Sequence, residues 1–474
     1  MTIMKKLYSL AIVLLCFGMI SCKKLVDNIN SDPNNPQDAD AITMLTSVQV
    51  SNMVIQEGEL ARQSGIWNGY FTGEQFQYQS INQYLMIAQN FNEPWALIYA
   101  TGLKNARIMK NKAYLTNNLR LVGVAQVLEA NMLGTATALW GDVPFTQASN
   151  DAFPNPIFEA QTKVYASVQS LLDSAVVNLN ATAFTAFTAQ DIHFAGNMPR
   201  WIQTAYTLKA RYLMHVKNYP AALAAAGNGI NAAANNFLAP HLATSKGTYN
   251  LYYQFMSQDR PGFMDAKSAY APTLLNPASS NYRGNAKTIE RARYGYLYSS
   301  ATNPNYTTTG FFYLSVPFPM ASYAENLLDL AECDARVNGI TNGLTRLNTY
   351  RAYMNTGGTI GTSLLVAGNY KYDPYLAADF VAGGIENNKT VVLAADRALL
   401  REIMEERYVN FIGQIEGFND ARRIAKETDI RIPVPPNSGT SLPQRMLYPQ
   451  TEVDLNKSTP APIPGLFVPT PVNN

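Results

Sequence analysis

Apolar residues return every three or four positions through most of this chain, and the segments that carry them come in pairs. In "EPWALIYATGLKNARIMKNKAYL", Trp95, Ile98, Tyr99, Leu103 and Ala106 fall at helical spacing, and Pro94 sits where a first turn needs no N–H. Its partner, "LRLVGVAQVLEANMLGTATALW", carries Leu121, Val124, Ala125, Leu128, Met132 and Leu139, and Gly141 predicts its end. A second pair is "TKVYASVQSLLDSAVVNL" with "PRWIQTAYTLKARYLMHV", which runs on through Asn218 into "YPAALAAAGNGI". A third is "MASYAENLLDLAECDARV", then a Gly-Asn turn, then "GLTRLNTYRAYM". The last is "ADRALLREIMEERYVNFIGQIEGFNDARRI".

The stretch Trp201–Ile230 looks like a tetratricopeptide unit, with Ala205, Ala210, Ala222 and Ala226 at close-packing positions around a turn at Asn218-Tyr219. A generic helical bundle packed by the same rules is the alternative. Residues 237–319 and 355–392 lack helical periodicity and are rich in Tyr, Asn and Gly. Loops of that length are functional or disordered, and their aromatic content argues against disorder. The Pro-rich tail from Ile432 is expected to cross the surface in extended form. The fold class that follows is mainly α: helix pairs in an α-α superhelical scaffold, over 41–235 and 320–430, beside a loop-rich half containing short strands.

The N-terminus carries an address. Lys5 and Lys6 precede an apolar run, Leu7–Ile20, of about 14 residues, short of the roughly 20 that span a bilayer. Met19-Ile20-Ser21-Cys22 resembles a bacterial lipobox, whose cysteine is lipidated and becomes the first residue; an ordinary signal peptide is the alternative. Residues 1–21 are then a signal peptide, Cys22 the lipidation site, 22–40 a polar linker, and 41–474 one domain. Several acyl chains anchor stably where one does not.

Charged residues make up only 15% of the chain. Loss of Lys5 and Lys6 brings the 36 basic side chains level with the 34 acidic ones. A neutral surface argues against nucleic acid, which is bound by clustered Lys and Arg. Of three cysteines, Cys16 and Cys22 lie in the leader and Cys333 stands alone on a helix, so no intrachain disulfide is expected. His193, His215 and His241 show no metal-ligand spacing, and no cofactor motif survives its context: "GNGINA" follows an Ala-rich helix, where a helix-terminating turn is expected. Glu57, Glu59, Glu74 and Glu93 lie near aromatics, the pairing that glycoside hydrolysis would need, but nothing else points to an enzyme.

Aromatics stand out, 28 Tyr, 20 Phe and 4 Trp, and two polar segments each carry several. "WNGYFTGEQFQYQSINQY" holds Trp67, Tyr70, Tyr78 and Tyr84; "YRGNAKTIERARYGYLY" holds Tyr282, Arg283, Tyr294 and Tyr296. Flat rings with polar tips can stack on sugar C–H faces while Asn, Gln and Arg bond the hydroxyls, at about 1 kcal/mol per contact. These eight residues are the candidate ligand contacts, and Trp67→Ala is expected to weaken binding. "YGYLY" also fits a strand with one buried face.

Four places resemble the SusD/RagB family of outer-membrane nutrient-binding lipoproteins of Bacteroidetes: Cys22 with "NSDPNNP", "ATALWGDVPFTQA" with its Gly141–Pro144 turn, "YAENLLDLAECDARV" with Glu325 and Glu332, and "LLREIMEERYVNFIGQIEGFNDARRI" with Glu406-Arg407, Glu416, Asp420 and Arg422-Arg423. The charged positions read as structural pairs and caps. The resemblance implies a tetratricopeptide-like scaffold, a lipid-anchored place on the outer membrane, a TonB-dependent SusC-like transporter as partner, and capture of an oligosaccharide, or in some members a peptide, without catalysis or cofactor. It also places a variable ligand loop near the Trp67 segment.

Overall fold

The computed structural model describes residues 39–388 and 391–474. The expected signal peptide, Cys22 and most of the expected linker lie outside the described residues. The long helices are α1 (Ala41–Glu57), α2 (Glu59–Trp67), α3 (Lys104–Leu115), α4 (Leu119–Trp140), α5 (Gln161–Leu179), α6 (Met198–His215), α7 (Tyr219–Ala226), α8 (Tyr323–Asn338), α9 (Ile340–Asn355), α10 (Ala395–Asn410) and α11 (Ile415–Arg423). Successive helices pack as pairs, α3 on α4, α4 on α5, α5 on α6, α6 on α7 and α8 on α9, so the architecture is mainly helical and tetratricopeptide-like.

Helix α4 is the axis. Every residue from Leu121 to Trp140 is buried, not one stripe alone, because helices cover it on all sides. Its polar residues are therefore paired: Glu129 with Arg107 at 2.7 Å, Asn131 with Asn52 at 3.1 Å, and Thr135 with Gln56 at 2.9 Å. At Gly134 the Tyr212 ring of α6 lies where a methyl would be, 2.2 Å from an added Cβ. Gly134→Ala is expected to lower stability by about 1–3 kcal/mol, read from the urea midpoint. An unchanged midpoint would contradict this close approach. The helix ends at Gly141, whose φ of +87° suits glycine.

Capping follows the sequence. Asn197 and Asn218 accept backbone N–H bonds at the starts of α6 and α7, and Ser322 with Glu325 forms a capping box on α8. Glu325 also receives Arg211 at 2.6 and 2.7 Å, so this family position is structural. His215 is likewise spent inside, between the Tyr165 hydroxyl at 2.9 Å and Glu416 at 2.6 Å. Cys333 is buried, and burial pushes its thiol pKa well up.

The irregular half is pinned by two-stranded antiparallel ladders. Phe237–Ala239 pairs with Phe318–Ala321, Thr72–Gly73 with Met264–Asp265, and Thr288–Ile289 with Lys371–Tyr372. "YGYLY" is only partly extended: Arg291–Leu297 is helical and Tyr298–Ser300 forms the strand. The Pro-rich tail runs back over the N-terminal helices. Asn437 donates to the Ile66 carbonyl at 3.0 Å, the Met446 N–H to Leu139 O at 2.9 Å, and Val472 N–H to Gln161 at 3.0 Å.

Candidate functional site

Gly58 breaks the first helical segment in two. A Cβ there would meet the Val54 carbonyl oxygen at 2.3 Å, so only glycine permits the step from α1 to α2. Along this step opens a cleft of about 940 Å³, within the range of ligand sites. Its walls are α2, the segment from Gln77 to Asn90, the turn from Glu93 to Thr101, and the segment from Gly247 to Asp259. Two stretches of π-helix, Leu97–Leu103 and Gln254–Asp259, contribute Leu97, Thr101, Gln254, Phe255 and Asp259 to the lining. Such wide turns recur at functional sites.

The floor is a fixed polar network. Arg62 Nε donates to the Tyr78 hydroxyl at 2.6 Å, and that hydroxyl donates to Glu59 at 2.9 Å. Arg62 and Gln63 donate to the same carboxylate at 3.1 and 3.0 Å. Burial pulls the Glu59 pKa upward, but Arg62, Gln63 and Tyr78 outweigh it and hold the carboxyl below its ordinary value. The Arg62 guanidinium lies 4.5 Å from the centre of the Phe255 ring. Gln63 Oε1, buried at the floor, has no further hydrogen-bond partner and remains an acceptor. Above the floor, the exposed Gln77, Gln89, Asn90 and Glu93 offer planar amide and carboxylate groups.

Beyond Gln77 stands Phe76, 72% exposed at a φ of +49°. Its ring stacks on Phe263 at 5.2 Å, and Phe263 meets Phe255 edge-on at 6.5 Å. A large apolar side chain held outward on a left-handed backbone costs of order 1–3 kcal/mol, the kind of strain that collects at functional positions.

The structure does not bring the eight sequence candidates together. Trp67 is 1% exposed, with its indole N–H on the Ile81 carbonyl at 3.0 Å and its edge on Phe418. Tyr70 is buried and donates to Tyr408 O at 2.8 Å; Tyr84 is buried and accepts from Asn437 N–H at 2.8 Å. Tyr78 is buried beneath the cleft. Arg283 is an internal ion-pair residue, held by Glu290, Glu402 and Glu406. Tyr282 is half-buried on the Glu290 N–H, and Tyr294 leans on Tyr298. Tyr296 lines a separate cavity of about 220 Å³ with Phe311 and Tyr353. The correction has one cause: a ring removes so much apolar area from water that most aromatics serve the core. From the Trp67–Tyr84 segment, Gln77 and Ile81 line the cleft and none of its rings does.

An open cleft with a fixed polar floor, carried on antiparallel helix pairs, defines a helical-repeat binding protein. The family model described as "Starch-binding associating with outer membrane" matches residues 33–449. The chain belongs to the SusD-like family, whose members are outer-membrane nutrient-binding proteins and not enzymes. A SusD/RagB family protein from Bacteroides thetaiotaomicron is similar at TM-score 0.66 and 20% identity, over 89% of this chain and 95% of that one. A SusD homolog from Parabacteroides distasonis gives 0.66 at 15% identity, over 91% and 97%. A chitin-binding SusD homolog from Flavobacterium johnsoniae gives 0.63 at 18% identity, over 91% and 97%. No curated protein matches the sequence.

Proposed function

We propose that this protein captures a neutral oligosaccharide in the cleft above Glu59 and Arg62 and passes it to a TonB-dependent SusC-like transporter. It does so tethered to the outer membrane through acyl chains on Cys22. The observation that carries the reading is the strained, exposed Phe76–Phe263 stack beside an amide-rich cleft. Rings of this kind take the C–H face of a sugar, and the amides and carboxylates take its hydroxyls. Glu59, Glu93 and Asp259 line the cleft against a single arginine, which disfavours acidic cargo. The likeness to a chitin-binding relative supports a glycan over a peptide.

A glycan array and a peptide library, each followed by calorimetry on the purified protein, test the reading. Uncharged oligosaccharides are expected to bind weakly. Phe76→Ala, which removes one stacking contact of about 1 kcal/mol, is expected to weaken binding roughly fivefold, with an unchanged melting temperature. Peptide binding without glycan binding would replace the oligosaccharide with a peptide cargo.

A further inference from the structure

We propose that a second cavity, between α11 and the Pro-rich segment 431–444, binds a small carboxylate-bearing molecule, at a site separate from the cleft. The cavity measures about 390 Å³, enough for a ligand of one or two sugar rings, and shares no lining residue with the cleft. Trp67 and Phe418 line it together with Arg422 and Arg431, and no aspartate or glutamate does.

The charge is uncompensated. Arg422 is buried, and all its partners are neutral: the carbonyls of Phe418, Ala138 and Gln444 at 3.2, 2.9 and 3.1 Å, and the amide oxygen of Asn419. Among the described residues no carboxylate pairs with Arg422 or with the exposed Arg431. Several other buried arginines are matched, Arg211 by Glu325, Arg407 by Asp329 and Asp420, Arg423 by Glu332, whereas Arg445, which repels Arg422, is buried without a carboxylate partner as well. Burial brings Arg422 down to about 10, against the opposing pull of Tyr165 and Glu416, so it stays a cation at neutral pH. A buried cation without a counter-ion is unfavourable, and an incoming carboxylate would offset it.

A second feature points the same way. Asn68 lines the cavity, is 1% exposed, and makes no hydrogen bond of full geometry with either side-chain atom, although the buried Tyr70 hydroxyl lies within its influence. Buried amides are nearly always satisfied, and an unpaired one marks a place where a ligand can bond. The guanidiniums bind a carboxylate, the Asn68 amide adds a directed donor and acceptor, and the Trp67–Phe418 floor supports an apolar body. Exposed Thr440 and Ser441 leave the mouth open.

Calorimetry on the full chain with three probes tests this: digalacturonate, its uncharged methyl ester, and hippurate. Digalacturonate is expected to bind, more weakly as salt rises, and the ester at least tenfold less tightly. Hippurate binding alongside it assigns the site to carboxylates from any source; its absence assigns it to acidic sugars. Arg431→Gln, at an exposed position, and Ser441→Glu, which brings a negative charge to the mouth, are each expected to weaken digalacturonate at least tenfold. Neutral oligosaccharide binding in the cleft should be unaffected. Equal binding of acid and ester, full affinity in both variants, or no binding of any probe would overturn the proposal while leaving the cleft reading intact.

Discussion

Arg423→Ala is expected to cost about 3–5 kcal/mol of folding stability, enough to shift the urea midpoint far more than any change at the surface. Arg423 bridges Glu332, at 2.5 and 2.7 Å, and Asp420, at 2.8 and 3.1 Å, and reaches the Tyr219 hydroxyl at 3.2 Å. Arg407 completes the cluster through Asp329 at 2.5 Å and Asp420 at 2.6 Å. All of the charged groups are buried, and Tyr219 is half-buried. Burial alone would drive the Glu332 carboxyl upward; Arg423 and Arg336 overcome that and hold it far below its ordinary value. Without Arg423, Glu332 and Asp420 lose the cation that joins them in a medium of low dielectric and are left to Arg336 and Arg407. Arg423→Lys keeps the charge but loses the bidentate fork, so a smaller loss is expected. If alanine and lysine leave the midpoint where it was, the cluster does not hold α8 to α11.

Acid is expected to unfold the protein in a defined window. Glu406 lies between Arg293 at 2.9 Å and Arg283 at 3.0 Å, and Glu416 lies on His215 at 2.6 Å. Burial pulls both carboxyls up, but the neighbouring cations win and hold each at about 2. A folded pKa below the unfolded value of about 4.3 gives stability that is complete above that value and lost as pH falls towards 2. Each group contributes about 3 kcal/mol on this reckoning, of order 1.4 kcal/mol per unit. Glu402 acts with the opposite sign. Burial, together with Glu386 and Glu406, pushes its pKa up despite Arg283, so its cost is relieved as pH falls from the raised folded value towards the unfolded one. Denaturant midpoints at pH 7, 5, 4, 3 and 2 are therefore expected to hold or rise to about pH 5 and then drop steeply. A profile flat to pH 2 would mean that these ion pairs persist in the unfolded chain or do not form.

The helices were legible because their cause is local. The 3.6-residue period, the Asn and Ser caps and the stop at Gly141 are written in adjacent positions, and α4, α5, α6, α8 and α9 start and end within three residues of where the pattern places them. The family's charged motif was legible as structure for the same reason of chemistry: so many charges on apolar helices must find partners. The candidate cleft was not. Among the aromatics of the Trp67 segment, only Phe76 is thrown outward, and what distinguishes it is a backbone angle, not a neighbour in sequence. Arg283 sits among tyrosines in the chain but among glutamates in space, because Glu402 and Glu406 arrive from a helix more than a hundred residues away. The pairing of Trp67 with Arg422 and Arg431 around one cavity is equally a product of tertiary contact.

The returning tail sets an order of events during synthesis. Trp140, at the end of the central helix, gives its indole N–H to Leu447 O at 2.7 Å, and Tyr448 gives its hydroxyl to Asp142 O at 2.7 Å. Those bonds close loops of some three hundred residues, the kind of contact that forms late. The first helix pairs must therefore wait, unsealed at one end, until nearly the whole polypeptide has been made. A chain shortened before Leu447 would leave that seam open to solvent and to holding chaperones.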